Sequence, residues 1–487
     1  MATGSVFTFG SMVVIRLATV VNSIVIVRAL GLFNVGVFSV VTLTISVVSA
    51  VAGFGVASAL VKFLAEVPSD RPGEASRLMR AGIVITLVAT ALSVVVLALL
   101  SPLFAVLYNE SRVPDLLLIA AVGLVLNVLP SPLLATFQAY EHIRERGILN
   151  IVSAVLSVPA TVALVVWWGL VGAVFATVAN SAIAILVNLP LLKTVWKDRR
   201  LSWGVHPDRA TYHKILGYAI PTLMGALLVT VVLWFTGTYL ATQASFDEVG
   251  LYTVGSSLAA YLLFIPSAIG MPFIPIVSRL DRLDSPELPP FMMRTLRVTT
   301  FLLIPPTLIL IGFPEPFLSI LFGSAFVTAA PVVHVVAPAV FLAGISTIVG
   351  FGIAGKGQMW HGLLINTLWA IVFVGGSLVL VPTGAAVGLS FAYLAGYAAQ
   401  FLGILAYVRY SWSVSIRPLV VPLVMAFVST MTLLAASYLI VGPWRSPVMA
   451  VVIVAATLAE LPAVSRREIE VLTAPIRKLI RWLSPSQ

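Results

Sequence analysis

The chain contains no cysteine, which excludes a disulfide framework and any thiolate-ligated metal site. Charge is nearly as scarce. Only 9% of the 487 residues are charged, against about 25% in an ordinary soluble domain, so a soluble fold is excluded. Carboxylates are rarest of all inside the apolar stretches, where Glu460 stands alone. Proton relays and sodium sites rely on buried Asp or Glu, so their lack points to a neutral or anionic ligand. No Asp-x-Asp motif and no sizeable polar insertion is present, and the WWG at 167–169 is not followed by Asp. Enzymes that build or transfer lipid-linked glycans carry such features, so enzyme activity is not expected. His334 and His361 have no ligating neighbours at metal spacing, so neither a metal nor another cofactor is expected.

What is there is apolar. Hydrophobic residues make up 60% of the chain and the mean hydropathy is +1.09. A helix needs about 20 apolar residues to cross a bilayer. Fourteen such spans are predicted, at 7–29, 37–61, 81–105, 116–137, 148–168, 170–192, 215–240, 250–277, 296–314, 330–353, 361–381, 385–407, 419–441 and 447–463. The first has no Lys or Arg before Arg16 and no cleavage-site pattern behind a short apolar core, so it reads as a retained span.

The chain has 28 Lys and Arg, and its pI is near 10. With the N-terminus inside, the inner loops and C-terminal tail take 24 of the 28 cations; Arg28, Arg112 and Arg445 fall outside and Arg16 falls within a span. That is the positive-inside bias. It places both termini in the cytoplasm and makes a nucleic-acid partner unnecessary. Beyond the last span, Ile469, Leu472, Ile476, Leu479 and Leu483 recur at helical spacing beside Arg477, Lys478 and Arg481. This predicts an amphipathic surface helix over 464–487.

The chain also repeats itself. VGVFSV at 35–40 returns as VGLYTV at 249–254, and SPLFAVLYN at 101–109 returns as EPFLSILFG at 315–323, both at an offset of 214. GAVFATVAN at 172–180 returns as GLSFAYLAG at 388–396, at 216. Three matches in order near one offset indicate a duplication. The unit holds six spans, an even number, so the two copies share one orientation and form parallel repeats. The expected fold is all-α and integral to the membrane. It has a six-helix lobe over 1–200, a second over 201–415, a central cavity, and two accessory spans over 416–463. Gly36 and Gly250 are expected at tight turns, with Phe38 and Tyr252 as interfacial anchors.

The stretch IVRALGLFNVGVFSVVTL resembles the opening of the Wzx-type polysaccharide flippases, in the multidrug/oligosaccharidyl-lipid/polysaccharide exporter superfamily. Their first span ends in Arg-x-Leu-Gly, here Arg28, Ala29, Leu30 and Gly31, and an aromatic-Gly-x-aromatic-Ser follows. Val35, Gly36, Val37, Phe38 and Ser39 stand there, so Val35 departs from the pattern. GYAIPTL, DEVGLYTV, PFIPIVSRL and EPFLSILFGSAF also look like the family. The resemblance implies transfer of a polyprenyl-(di)phosphate-linked oligosaccharide from the inner to the outer leaflet. Its implied partners are that substrate, membrane lipids and other polysaccharide-assembly proteins, and the chain is expected to act as a monomer.

Arg16 is the leading candidate for the ligand's phosphate. At 100° per residue Thr19 and Ser23 share its face, and a guanidinium in a wet cavity suits pyrophosphate. It could instead snorkel or pair with backbone carbonyls. Lipid II flippases look similar here, but carry a further Arg where this chain has Asn22. In the second copy Thr230 replaces Arg16, so this charge belongs to one lobe only. Arg28, Lys62 and Arg279 lie at span ends, as phosphate contacts or as topology markers. Asn127, Asn180, Asn188, Asn366 and Gln400 either meet sugar hydroxyls or bond across helices. Two rivals remain. A cation-coupled multidrug antiporter shares the architecture but lacks its carboxylates here. A major-facilitator transporter would explain the Asp-Arg-x-Gly of SDRPGEASR at 69–77, but Glu66 replaces the Gly expected four residues earlier and no second copy follows span 8.

Overall fold

The structure, a computed structural model, describes residues 2–460 apart from 69, 271–272, 413–416 and 441–443. The amphipathic helix expected over 464–487 lies outside the described residues. Among the described residues the regular elements are helical. They are α1 (Ala2–Gly53), α2 (Val56–Glu66), α3 (Pro72–Tyr108), α4 (Val113–Val128), α5 (Ser131–Ala139), α6 (Ile143–Asp198), α7 (Arg209–Gln243) and α8 (Phe246–Ala260). There follow α9 (Phe264–Gly270), α10 (Phe273–Arg282), α11 (Leu288–Gly312), α12 (Pro314–Leu321), α13 (Ala330–Gly355), α14 (Met359–Ser411), α15 (Arg417–Leu439) and α16 (Arg445–Glu460). Helices are what lipid demands, because each satisfies its own backbone groups where no water can.

Among the described residues ten stretches are long and apolar enough to cross a membrane, and Ser446–Ala459 is a shorter apolar helix. The chain is therefore a multi-pass membrane protein. Apolar side chains cover outer faces as well as inner ones: Leu99 and Val106 on α3 are largely exposed, as expected where lipid replaces water.

Three of the long helices break at one residue each: α1 at Gly31 (φ 71, ψ 169), α6 at Gly169 (φ 53, ψ −125) and α14 at Ala385 (φ 44, ψ −125). At the last two the chain doubles back. A Cβ on Gly172 would stand 1.9 Å from the carbonyl oxygen of Leu164, and one on Gly388 would stand 2.1 Å from that of Leu380. These corners and contacts are 216 residues apart, the offset of the sequence repeat. The same holds for helix ends. Asn109 (φ 50) and Gly323 (φ 109) are 214 apart, and Glu141 (φ 61) and Gly357 (φ 69) are 216 apart. At the latter pair the closing bonds match too: His142 N–H donates to Phe137 at 2.8 Å, and Gln358 N–H donates to Ile353 at 3.0 Å.

The structure corrects the reading of the hexapeptides. The turn in α1 is at Gly31, and Gly36 and Gly250 lie inside helices. Their lack of a side chain serves close approach, not a turn. A second difference lies at the predicted span 37–61, which is interrupted by Phe54 (φ 47) and Gly55 (φ 67) between α1 and α2. Gly55 is required there, since a Cβ would meet the carbonyl oxygen of Ala219 on α7 at 2.6 Å.

By packing, the chain divides after Gly250. In the first unit α1 lies along α3, α4, α6 and α7, and α2 lies against α3, α5 and α7. The unit thus includes α7, which the sequence repeat counts as the opening helix of the second copy. In the second unit α13 is the buried helix, packed by α9, α10, α11 and α14. There α15 and α16 pack on each other and on α11, and a Cβ on Gly312 would stand 3.2 Å from Cδ1 of Ile453.

Candidate functional site

On α1, Arg16 and Thr19 are exposed and Ser23 is half-buried. Their spacing of three and seven residues keeps them on one face. Thr19 Oγ1 donates to the carbonyl of Ile15 at 2.9 Å. Among the described residues Arg16 makes no hydrogen bond or ion pair. Asn22 sits six residues after Arg16, on another face. Its Nδ2 donates to Ser157 Oγ of α6 at 2.9 Å, while its Oδ1 is buried without a partner among the described residues. Thr230, at the position of Arg16 in the second copy, donates to Ala226 at 2.9 Å.

The other expected cations each have their own surroundings. Arg28 is exposed three residues before the Gly31 break. Lys62 Nζ sits 4.8 Å from the ring centre of Tyr218 and 5.5 Å from that of Phe63, a cation–π arrangement tying α2 to α7. Arg279 is exposed in the last turn of α10, in the second unit. Outside the spans, Arg112 grips Glu110 through Nε at 2.9 Å and Nη2 at 3.1 Å. This guanidinium holds the Glu110 carboxyl below its usual range and is itself pushed up. Arg112 is therefore already paired.

The amides divide by role. Asn180 donates to Thr161 at 3.3 Å and Gln400 donates to Asn366 at 2.9 Å, each across a helix hairpin. Asn188 donates to Ala184 of its own helix at 2.8 Å. Asn127 does none of this. It lines an open cavity of about 440 Å³ within the first unit, walled by α2, α4, α5 and α6. Among the described residues Ser58, Ser131, Gln138, Arg146 and Ser181 are its other polar groups, and no carboxylate lines it. Arg146 was not singled out from the sequence, because Arg144 and Arg146 read as inner-loop charges. The signal available was Asn127, Ser131 and Gln138 interrupting an apolar region.

Residues 1–281 match the family described as "polysaccharide biosynthesis protein". The chain belongs to that family. It is a multi-pass membrane protein of the polysaccharide biosynthesis family. By sequence alone, no curated protein matches it. Among solved structures, the lipid II flippase MurJ in an inward closed conformation superposes with a TM-score of 0.70 at 13% identity, covering 99% of this chain and 100% of that one. An inward-facing multidrug resistance MATE family transporter of the MOP superfamily gives 0.60 at 16% identity, over 82% of this chain and 94% of that one. A MOP superfamily transporter from Pyrococcus furiosus gives 0.61 at 15%, over 84% and 94%. At these identities the likeness is one of fold.

Proposed function

We propose that this member of the polysaccharide biosynthesis family is a flippase. It moves a polyprenyl-(di)phosphate-linked oligosaccharide from the cytoplasmic to the outer leaflet by alternating access, for surface polysaccharide or glycan assembly. The observation that carries this reading is membership in that family combined with a fold that matches a lipid II flippase over 99% of the chain. In this reading the three broken helices each cross twice, so the ten long stretches give thirteen crossings, and Ser446–Ala459 supplies the fourteenth. The repeated backbone features support two parallel six-helix lobes, 1–200 and 201–415, with accessory helices over 416–463. The distribution of Lys and Arg supports cytoplasmic termini.

Arg16, which has no hydrogen bond or ion pair among the described residues, is suited to a phosphate, because charge-assisted hydrogen bonds are the strong ones. The fold is shared with multidrug antiporters, and the MATE likeness keeps that reading in play. The carboxylate-poor spans favour the glycolipid.

Reconstitution into vesicles with a fluorescent polyprenyl-diphosphate oligosaccharide tests both the activity and the residue. Wild type is expected to transfer the lipid between leaflets, and Arg16→Ala to lower the rate about tenfold or more, the scale of one lost charge-assisted bond. Unchanged transfer in Arg16→Ala would remove that residue's role. No transfer by wild type, with proton- or sodium-driven export of a cationic drug instead, would favour the antiporter.

A further inference from the structure

The cavity in the first unit has a feature that transport of a generic glycolipid does not require. Arg146, in the first turns of α6, is half-buried and turned into the cavity, yet among the described residues it has no hydrogen bond or ion pair from its side chain. A partly desolvated cation without a partner is costly, and among the described residues no Asp or Glu lines the cavity to offset it. Around it stand Ser58 from α2, Asn127 from α4, Ser131 and Gln138 from α5, and Ser181 from α6. Among the described residues the side chains of Ser58, Asn127, Ser131 and Gln138 are likewise unpartnered, and only Ser181 is committed, donating to Thr177 at 3.0 Å.

We propose that this cavity is a recognition subsite for an anionic, hydroxyl-rich group, an acidic sugar or a sugar phosphate. The guanidinium supplies the planar fork that carboxylates and phosphates accept from. The amides and hydroxyls both donate and accept, as sugar hydroxyls require. About 440 Å³ falls within the usual range for small-molecule sites, roughly 300–1,000 Å³. The subsite rests on the transport reading above and narrows it: the glycan carried bears a negative charge near its head. It also separates two tasks by place, since Arg16 is on α1 and Arg146 on α6. The phosphate of the lipid carrier and the charge of the sugar then have different receptors.

Two arms test it on the purified full-length chain. In the first, binding is measured in nanodiscs of phosphatidylcholine with glucose, glucuronate, glucose 1-phosphate and inorganic phosphate as probes. Glucuronate and glucose 1-phosphate are expected to bind, and glucose not. Arg146→Gln should lose about tenfold or more in affinity, with Arg146→Lys between the two because it lacks the fork. Asn127→Leu keeps the charge and should weaken the sugars while leaving any inorganic phosphate binding unchanged, so a misfolded Arg146 variant does not decide the matter. Equal binding of the sugars by wild type and Arg146→Gln overturns the proposal. So does inorganic phosphate binding as tightly as the sugar phosphate. Displacement of the sugars by added phosphatidylglycerol would make the cavity a lipid headgroup site and also overturns it.

In the second arm, leaflet transfer is compared for lipid-linked glycans with and without a uronate. Wild type is expected to prefer the acidic glycan and Arg146→Gln to lose that preference. If wild type transfers neither lipid while sugar binding persists, the transport reading falls and the subsite stands.

Discussion

Gly36 and Gly250 make the same contact in opposite directions. A Cβ on Gly36 would stand 1.9 Å from the carbonyl oxygen of Phe246, and one on Gly250 would stand 2.2 Å from that of Leu32. Phe246 and Leu32 are themselves 214 residues apart, as are the two glycines. The two hexapeptides are therefore one reciprocal contact, each copy's glycine closing on the backbone that precedes the other. Phe33 meets Phe246 edge-on at 5.4 Å beside it.

Neither glycine tolerates a methyl group, because the obstacle is backbone and cannot rotate away. Gly36→Ala and Gly250→Ala should each destabilise by about 1–3 kcal/mol, as overpacked sites do. Gly225→Ala, on the same α7 that packs against α1 but with open space around it, should be neutral or stabilising by up to about 1 kcal/mol through helix propensity. Thermal unfolding in detergent of the three variants makes the comparison. An unchanged melting temperature in Gly36→Ala would show that the two segments can part without cost.

The corner shared by the two hairpins is occupied by glycine in one copy and alanine in the other. Ala385 holds φ 44 and Gly169 holds φ 53. A side chain in that region costs about 1–2 kcal/mol. Ala385→Gly should therefore raise stability by about 1 kcal/mol, reduced by the extra freedom of glycine in the unfolded chain, and Gly169→Ala should lower it. Opposite shifts in melting temperature are expected, and shifts of the same sign would contradict the shared geometry.

The Glu110–Arg112 pair gives a pH dependence whose sign follows from the lowered carboxyl. A carboxyl held below its unfolded value contributes stability at pH above that value, near 4.5, and the contribution is lost as pH falls through the folded value. The pair is near the surface, so the effect is below about 1 kcal/mol. Glu110→Gln should remove that part of the acid-induced drop in melting temperature while leaving behaviour at pH 7 and above nearly unchanged. An identical acid profile in the variant would rule out the linkage.

The sequence carried the membrane class, the helical fold and the offset between copies, because each rests on composition or on residues that recur. It misplaced the turn in α1. VGVFSV is the recurring segment, but the φ that turns the chain belongs to Gly31, and sequence similarity marks what packs closely as readily as what bends. It also missed the break at Phe54–Gly55, where an apolar run hides a backbone irregularity imposed by α7. Among the charges, positive-inside reasoning treated Arg146 and Lys62 alike. Only packing separates them: Lys62 rests over Tyr218, while Arg146 is left facing a cavity. Asn127 and Asn180 look equivalent in the sequence for the same reason. Which amide is spent on a neighbouring helix depends on whether a Thr161 happens to stand opposite.

The corners at Gly169 and Ala385 turn within a residue or two, and α1 breaks at the single non-helical residue Gly31. A polypeptide that turns this tightly leaves almost no loop at those points for a protease to cut, an antibody to grip or a fused reporter to enter. Labels meant to watch this protein work belong elsewhere, in the longer connection over 199–208 that Arg80 pins through the Trp203 carbonyl at 2.7 Å.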